Sequence, residues 1–600
     1  MTSRPSVSSV RPPAQPLRGL GLALAGLWLL AVGLALVGLG NLPLRDWDES
    51  LVARVALEAS VRPWPDLLFP VFWGDPYLNK PPGLHLLIAA AIRLWRAFSG
   101  ACPESLPPEG LVRLVPALLS TTVVPLVGVV QARLRPERPA AALASAAMAL
   151  TLLPLARHGR LVMLDGVQLA SILLLWWAVL TPDQRRGPLL RQGVVMGLAT
   201  SALLLLKAPL ALPVLGGTLL LRALDRELGR GRWGWLLGGL ALGLLPGLAW
   251  HGAHGLVRGS GALEMWLGQG FARVHHQLEG HGGGPWMPLT EVLEGGWPWL
   301  ALWPVAMGLA WRERHTRAGR WCLGTTGLTA LLVLPLRTQL PWYSLLLWPS
   351  VLLACGPVLA WLVERAPLPT PPWPGLTRRV PAFWALLGAL LVGVAPLLAR
   401  GGPGVQPLAP VAAAGGVGLL GGGLLLLADR RSRRRVGAAL LLAGLWVALL
   451  ALFSGPLWLW ELNERWPVQP IGMEVRRLPR GTVQLWREAE RPSLNWYAGQ
   501  RLRPRDDGAD AGATPPALPL LLLGLEREAP RPQGLRCWPF AVASPGRDSE
   551  SATEAVPQLF RCTPETPSAA PTPGPSGGSP GRGRPRPDGP ESEKLIKNAL

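Results

Sequence analysis

Two short motifs hold the residue types that chemistry needs. Directly after a first apolar stretch at 17–42 the chain runs Arg45-Asp46-Trp47-Asp48-Glu49, and further on Pro76-Tyr77-Leu78-Asn79-Lys80-Pro81-Pro82. Paired carboxylates at the lip of a membrane, followed by a lone Lys-Pro, are poor lipid-facing material and call for water or a charged ligand. The acids could supply a general base, a metal ligand, or both. Their plainer reading is an acidic first turn that opens a helix over 50–59.

Lysine is scarce enough to be informative. The chain has Lys80, Lys207, Lys594 and Lys597 and no other, so its body uses arginine everywhere except at Lys80 and Lys207. A compact ammonium suits a phosphate as a point charge, whereas arginine offers a planar fork. Chance, or snorkelling at helix ends, is the competing reading for both. A third group is Arg160-Leu161-Val162-Met163-Leu164-Asp165-Gly166. An acid there faces into a helical bundle from its outer mouth, with Arg157, His158 and Arg160 as its alternative, structural partners. The segment from Val274 to Trp286 carries His275, His276 and His281 among the eight histidines. Extended backbone there would aim Glu279 and His281 at one ion; a flexible gating loop is the other reading.

The elements that must position these groups are transmembrane helices. The chain has 600 residues, 16% of them charged, and a mean hydropathy of +0.29. A crossing needs ~20 apolar residues, and the chain offers about thirteen such stretches. They are expected near 17–42, 111–133, 139–158, 163–180, 189–206, 208–223, 234–253, 297–311, 321–336, 343–363, 380–399, 407–428 and 436–456. The first is too long for a cleavable signal and is read as retained. The apolar run 84–94 is expected to lie on the outer surface, because a crossing there would place the basic loop Arg133, Arg135 and Arg138 outside.

The formal net charge of +21 would suggest nucleic acid in a soluble protein. Here much of it is the positive-inside bias: Arg4, Arg11 and Arg18 before the first span, then clusters at 185–191, 222–232, 312–320 and 430–435. No nucleic-acid partner is expected. With these loops inside, Asp46, Asp48, Lys80, Arg160, Asp165, Lys207, the loop 254–296 and Arg337 all fall on the outer side. Residues 1–16 form a cytoplasmic tail and 17–456 the helical body, whose outer loop 43–110 carries the acids. Residues 457–563 read as a small extracytoplasmic α/β appendage with 518–523 as a buried strand, and 564–600 as a disordered tail rich in Pro, Ser, Gly and Arg. Cys537 and Cys562 both fall in the external part, where a disulfide can form.

The order of these motifs resembles a known family. Asp-x-Asp-Glu after the first helix, Tyr77-x-x-Lys80-Pro81-Pro82, Arg113-Leu114-Val115-Pro116, Arg160 to Asp165, Leu206-Lys207-Ala208-Pro209 and the histidine loop fall as they do in GT-C glycosyltransferases of the protein O-mannosyltransferase and aminoarabinose-transferase (ArnT-like) group. The similarity spans about residues 17–365. It implies a GT-C fold and a sugar donor carried on a polyprenyl phosphate. It implies Asp48 and Asp165 as the catalytic acids, with Lys80 on the donor phosphate and Tyr77 beside it. It also implies His281 at a divalent metal, for which Asp48 and Glu279 are further candidate ligands. Asn79 stands where the aminoarabinose enzymes carry an acidic metal ligand, and Leu51-Val52-Ala53-Arg54 replaces the usual Arg-Tyr-Ala-Glu. Arg337-Thr338-Gln339-Leu340-Pro341-Trp342-Tyr343 is similar to the family's basic-Leu-Pro-x-Tyr stretch, and Asn495-Trp496-Tyr497-Ala498-Gly499 to a segment of bacterial members.

The expectation is therefore an inverting transferase in the inner membrane, acting at its periplasmic face on a lipid, glycan or protein acceptor. Lys207, Arg160 and Arg337 join Lys80 and Tyr77 as expected substrate-binding residues. The rival classes are a lipid-linked-sugar transporter or flippase, and a non-catalytic binding relative. A transporter would call for ionisable residues at mid-membrane and interrupted, repeated half-helices.

Overall fold

The computed structural model describes residues 16–181, 185–225, 228–277, 284, 286–365, 375–459, 468–486, 488–505, 520–524, 535–542 and 558–564. Among them, eight helices are long and apolar enough to cross a membrane: Gly19–Leu36, Glu109–Leu134, Arg186–Leu206, Gly231–Trp266, Pro341–Glu364, Leu376–Ala399, Gln406–Leu426 and Arg431–Ser454. Shorter apolar helices, Pro139–Thr151, Asp165–Val179 and Ala208–Leu224, accompany them. Pro139–Thr151 and Asp165–Val179 are buried among the others along most of their length.

Several expected spans are subdivided. The stretch 139–158 breaks at Leu152, whose backbone is extended, so that a second short helix, Leu153–His158, begins at the Leu-Pro step. Pro154 sits in the first turn of that second helix, where its missing N–H costs no helical bond. The stretches 297–311 and 321–336 form helices Trp303–Arg312 and Arg317–Val333.

Small residues set the closest helix contacts. Helix Arg186–Leu206 lies against Arg230–Arg258 through Gly193 and Gly197 on one side and Gly239 and Gly243 on the other. A Cβ added at Gly193 would lie 2.1 Å from the Leu236 carbonyl oxygen, and one at Gly239 would lie 2.1 Å from that of Leu190. This small-xxx-small spacing lets backbones touch where lipid supplies no hydrophobic drive.

The basic loops are cross-tied at the opposite end from the acid motifs. Asp225 accepts from Arg320 at 2.9 Å and from the Trp321 indole at 2.9 Å, Arg135 pairs with Glu313, and Glu364 pairs with Arg431 at 2.8 Å. On the other face, helix Gly83–Ser99 covers the expected surface run 84–94. It buries Leu84, His85, Ile88 and Ile92 against helix Asp48–Ala59 and leaves Leu87, Leu94 and Phe98 exposed. A short hairpin, β1 (Val71–Phe72) with β2 (Asp75–Pro76), lies between those two helices in the chain.

The C-terminal part holds a five-stranded sheet. Its strands are β3 (Val483–Trp486), β4 (Pro504–Arg505), β5 (Leu520–Gly524), β6 (Leu535–Val542) and β7 (Gln558–Pro564), in the order β4-β3-β5-β7-β6. β3 is parallel to β4 and β5, and β7 is antiparallel to β5 and β6. β5 overlaps the expected buried strand 518–523, and Leu521, Leu522 and Leu523 are buried. Cys537 stands opposite Cys562 in the β6–β7 register and is bonded to it. The expected tails, 1–16 and 564–600, lie outside the described residues except at Pro16 and Pro564.

Candidate active site

Asp48 opens helix Asp48–Ala59, an amphipathic helix whose buried side is Glu49, Val52, Ala53, Val55 and Ala56. Successive helical residues point about 100° apart, so Asp48 and Glu49 leave the same turn in different directions. Glu49 turns inward. Its carboxylate accepts from Arg113 Nε and Nη2, both at 2.8 Å, and from the Val162 N–H at 3.0 Å. Arg113 also donates to the carbonyls of Leu39, Leu42 and Pro43. One buried ion pair thus ties the end of the first span, the helix bearing Asp48 and the loop that leads to Asp165.

Asp48 turns toward the second motif. The Lys80 ammonium donates to Asp48 Oδ1 at 2.8 Å, with side chains 18% and 21% exposed, so the pair is open to a ligand. Burial works against the Asp48 carboxylate, but the Lys80 ammonium outweighs it, helped by Lys207 and Arg273, and holds the carboxyl below the usual range. For Lys80, burial opposes the charge, and Asp48 and the neighbouring Tyr77 more than restore it, so its pKa is raised.

Asp165, at the start of helix Asp165–Val179, lies within electrostatic reach of Lys207, Asp48 and Lys80. Lys207 stands between helices Arg186–Leu206 and Ala208–Leu224, with its ammonium 4.7 Å from the centre of the Tyr343 ring. The Tyr343 hydroxyl accepts from Arg273 at 3.3 Å. The Arg273 carbonyl takes the N–H groups of Arg337 and Thr338 at 3.0 and 3.1 Å, which pins the short helix Ala272–His275 to the bend before Pro341.

Around Lys80, three buried polar atoms have no hydrogen-bond partner among the described residues: Tyr77 Oη, Asn79 Oδ1 and His85 Nε2. Burial pushes the His85 imidazole down to about 3. Its Nδ1 contacts the Pro81 carbonyl at 3.1 Å; a carbonyl only accepts, so Nδ1 carries the proton and Nε2 presents a lone pair. A polar ligand at this point meets one hydroxyl, one amide and one imidazole acceptor beside a cation.

The structure therefore brings together Asp48, Lys80, Tyr77, Asp165 and Lys207. It engages Arg160 elsewhere: the guanidinium donates to the Leu34 carbonyl at 2.6 Å and to that of Val37, and sits 4.2 Å from the centre of the Phe453 ring. Arg337 has an exposed side chain and joins the site through its backbone bond to Arg273. The candidate metal ligands Glu279 and His281 lie outside the described residues. Among the described residues no three His, Cys, Asp or Glu side chains converge as a metal site, and Asp48 is already engaged by an ammonium.

Arg273, Tyr343, His85 and the Glu49–Arg113 pair were not read from the sequence as site residues. Rarity was a usable signal for one of them. The chain has three tyrosines: Tyr77 flanks Lys80, Tyr343 underlies Lys207, and Tyr497 bonds the loop before Asp48.

A helical membrane bundle that sets acids at helix starts against lysines has the GT-C fold that the motif order implied. Solved structures share it. The crystal structure of ArnT from Cupriavidus metallidurans bound to undecaprenyl phosphate matches with a TM-score of 0.63 at 16% identity, over 92% of this chain and 98% of its own. The same protein in the apo state matches with a TM-score of 0.65 at 15% identity, over 91% and 98%. No protein-family model matches the chain, and no curated protein does either.

Proposed function

We propose that this protein is a membrane glycosyltransferase that takes a sugar from a polyprenyl-phosphate donor and passes it, with inversion, to an acceptor hydroxyl at the periplasmic face of the inner membrane. The observation that carries the reading is the partly buried Asp48–Lys80 pair at 2.8 Å, with Asp165 and Lys207 in reach. It sits in a fold shared with a protein solved bound to undecaprenyl phosphate. The Cys537–Cys562 disulfide supports an outer location for the C-terminal part, because such bonds persist in oxidising compartments.

Charge supports this donor class. Counting formal charges, Lys80, Lys207 and Arg273 exceed Asp48 and Asp165 by one positive charge. A polyprenyl-phosphate sugar is a phosphodiester monoanion, which that excess balances. As the bond from anomeric carbon to phosphate oxygen breaks, the phosphate gains a second negative charge. Fixed ammonium groups therefore bind the transition state more tightly than the substrate. The acceptor oxygen forms its bond to the anomeric carbon from the opposite side, and its proton goes to Asp48. Asp165 orients the acceptor, and Tyr77 with His85 borders the donor.

The test is a panel of polyprenyl-phosphate sugars incubated with the purified protein and membrane extract. Release of free polyprenyl phosphate from one of them is expected and would name the sugar, hexose or pentose. Release from none would contradict the proposal.

A further inference from the structure

The C-terminal part does not fold as a separate body on a tether. Its residues Val468, Ile471, Val475, Val483, Leu485, Leu494 and Trp496 belong to one continuous apolar core with Leu44, Val52, Ala53, Leu84, Ile88, Val162 and Leu164, which come from the elements that carry Asp48, Lys80 and Asp165. At the centre of that contact is helix Pro492–Ala498, buried at every residue.

Its polar contacts fall on the segments that lead into the site. Asp46, 2% exposed and two residues before Asp48, accepts from Arg491 Nε at 2.7 Å and from the Ser493 N–H at 2.7 Å. The Leu44 N–H donates to Tyr497 Oη at 2.7 Å, and that hydroxyl donates to Glu109 at 3.1 Å, at the head of the helix that carries Arg113. Arg501 reaches Asp75 of β2 at 3.2 Å, just before Tyr77 and Lys80, and is held from behind by Glu490 at 2.8 Å.

From this geometry we infer that Arg491 and Tyr497 are positioning residues for Asp48, so that the C-terminal part is a working component of the active site. Asp46 is the handle. Two charge-assisted bonds, from the residue before one helix and from its first turn, fix its carboxylate, and the peptide run from Asp46 to Asp48 is too short to let Asp48 move while Asp46 is held. Such bonds are short and strong because one partner is ionised. A reacting group displaced by about 1 Å loses on the order of 100-fold in rate.

The inference rests on the transferase reading, and its test separates the two. The full-length protein and its Arg491→Ala, Arg491→Lys, Tyr497→Phe, Asp46→Asn and Asp46→Asn/Arg491→Ala variants are compared by kcat, by KM for the donor, and by amide hydrogen exchange. In Arg491→Ala, kcat is expected to fall on the order of 100-fold with KM little changed, and Arg491→Lys to recover part of the loss. The double variant is expected to be no slower than the worse single one, because both remove the same bond. Exchange at Ser50 and Leu51, whose amides bond to the Arg45 and Trp47 carbonyls, is expected to quicken in Arg491→Ala while that of helix Arg186–Leu206 holds.

Wild-type kcat together with wild-type exchange at these amides would overturn the inference. If the wild type transfers from no donor, the transferase reading has failed, and the exchange comparison alone decides the inference. If Arg491→Ala does not fold, the test passes to Tyr497→Phe and Arg491→Lys, in which unchanged kcat and exchange would overturn it.

Discussion

The Lys80 ammonium lies 2.8 Å from the Asp48 carboxylate, so the cation proposed for the donor phosphate and the acid proposed for the acceptor proton are joined before any ligand arrives. A phosphate that claims Lys80 competes with Asp48 for the same hydrogens. Donor binding would then release the carboxylate, and its basicity would rise at the step that needs it.

This coupling has a pH signature. Asp48 is held below the usual carboxylate range, so its contribution is present above the ordinary value and is lost only as pH falls through the lowered one. Lys80 is raised, so its contribution is present below the ordinary lysine value and is lost only as pH rises through the higher one. Ordinary values are about 3.9 and 10.4, so both charges persist between about pH 5 and 9. In the free protein, kcat/KM is expected to be flat over that window with respect to this pair. The acid limb of kcat, which reports the bound complex, is expected at a higher pH than that of kcat/KM. Coincident limbs would contradict the coupling.

Glu49 and Arg113, 1% and 0% exposed, form a pair of a different kind. Removing one member of a buried pair leaves the other uncompensated and costs about 3–5 kcal/mol. Arg113→Ala is expected to lower the unfolding midpoint sharply, as is Glu49→Ala, with a strongly non-additive double variant. Additive losses in a thermal melt would show that the two residues act separately.

At Lys207 the ring and the hydroxyl of Tyr343 can be separated. Tyr343→Phe keeps the aromatic face under the ammonium and loses the bond from Arg273, whereas Tyr343→Leu loses both. A cation–π contact of this kind is worth about 0.5–2 kcal/mol. Donor KM is expected to rise modestly in Tyr343→Phe and several-fold more in Tyr343→Leu. Equal values for the two would remove the ring from the account.

Much of this was legible in the residues. Asp48 and Lys80 could be singled out by their types and by the scarcity of lysine, and both stand in one ion pair. The sense in which Asp48 and Glu49 differ could not be read, because it depends on helix rotation against neighbours that the chain supplies much later, Arg113 and Val162. The break at Leu152 had one mark in the sequence, Pro154, which the apolar run on either side outweighed. Arg273 and Tyr343 meet through a loop and a distant stretch, and no local pattern predicts such a pair. Arg160 read as a partner for Asp165 or a ligand for substrate; in the fold it reaches the carbonyls that end the first span. Neighbours in sequence are not neighbours in charge once a helix end intervenes.

The most direct test of the central claim compares wild type with Asp48→Asn and Lys80→Ala for two quantities: binding of undecaprenyl phosphate and transfer from the active donor. Lys80→Ala is expected to weaken binding by roughly 10- to 100-fold, as loss of a charged hydrogen bond does. Asp48→Asn is expected to bind at least as tightly, because it frees the ammonium, and to lose about 10²- to 10⁴-fold in kcat, the range for a general base. Unchanged transfer in Asp48→Asn, or unchanged binding in Lys80→Ala, would contradict the account.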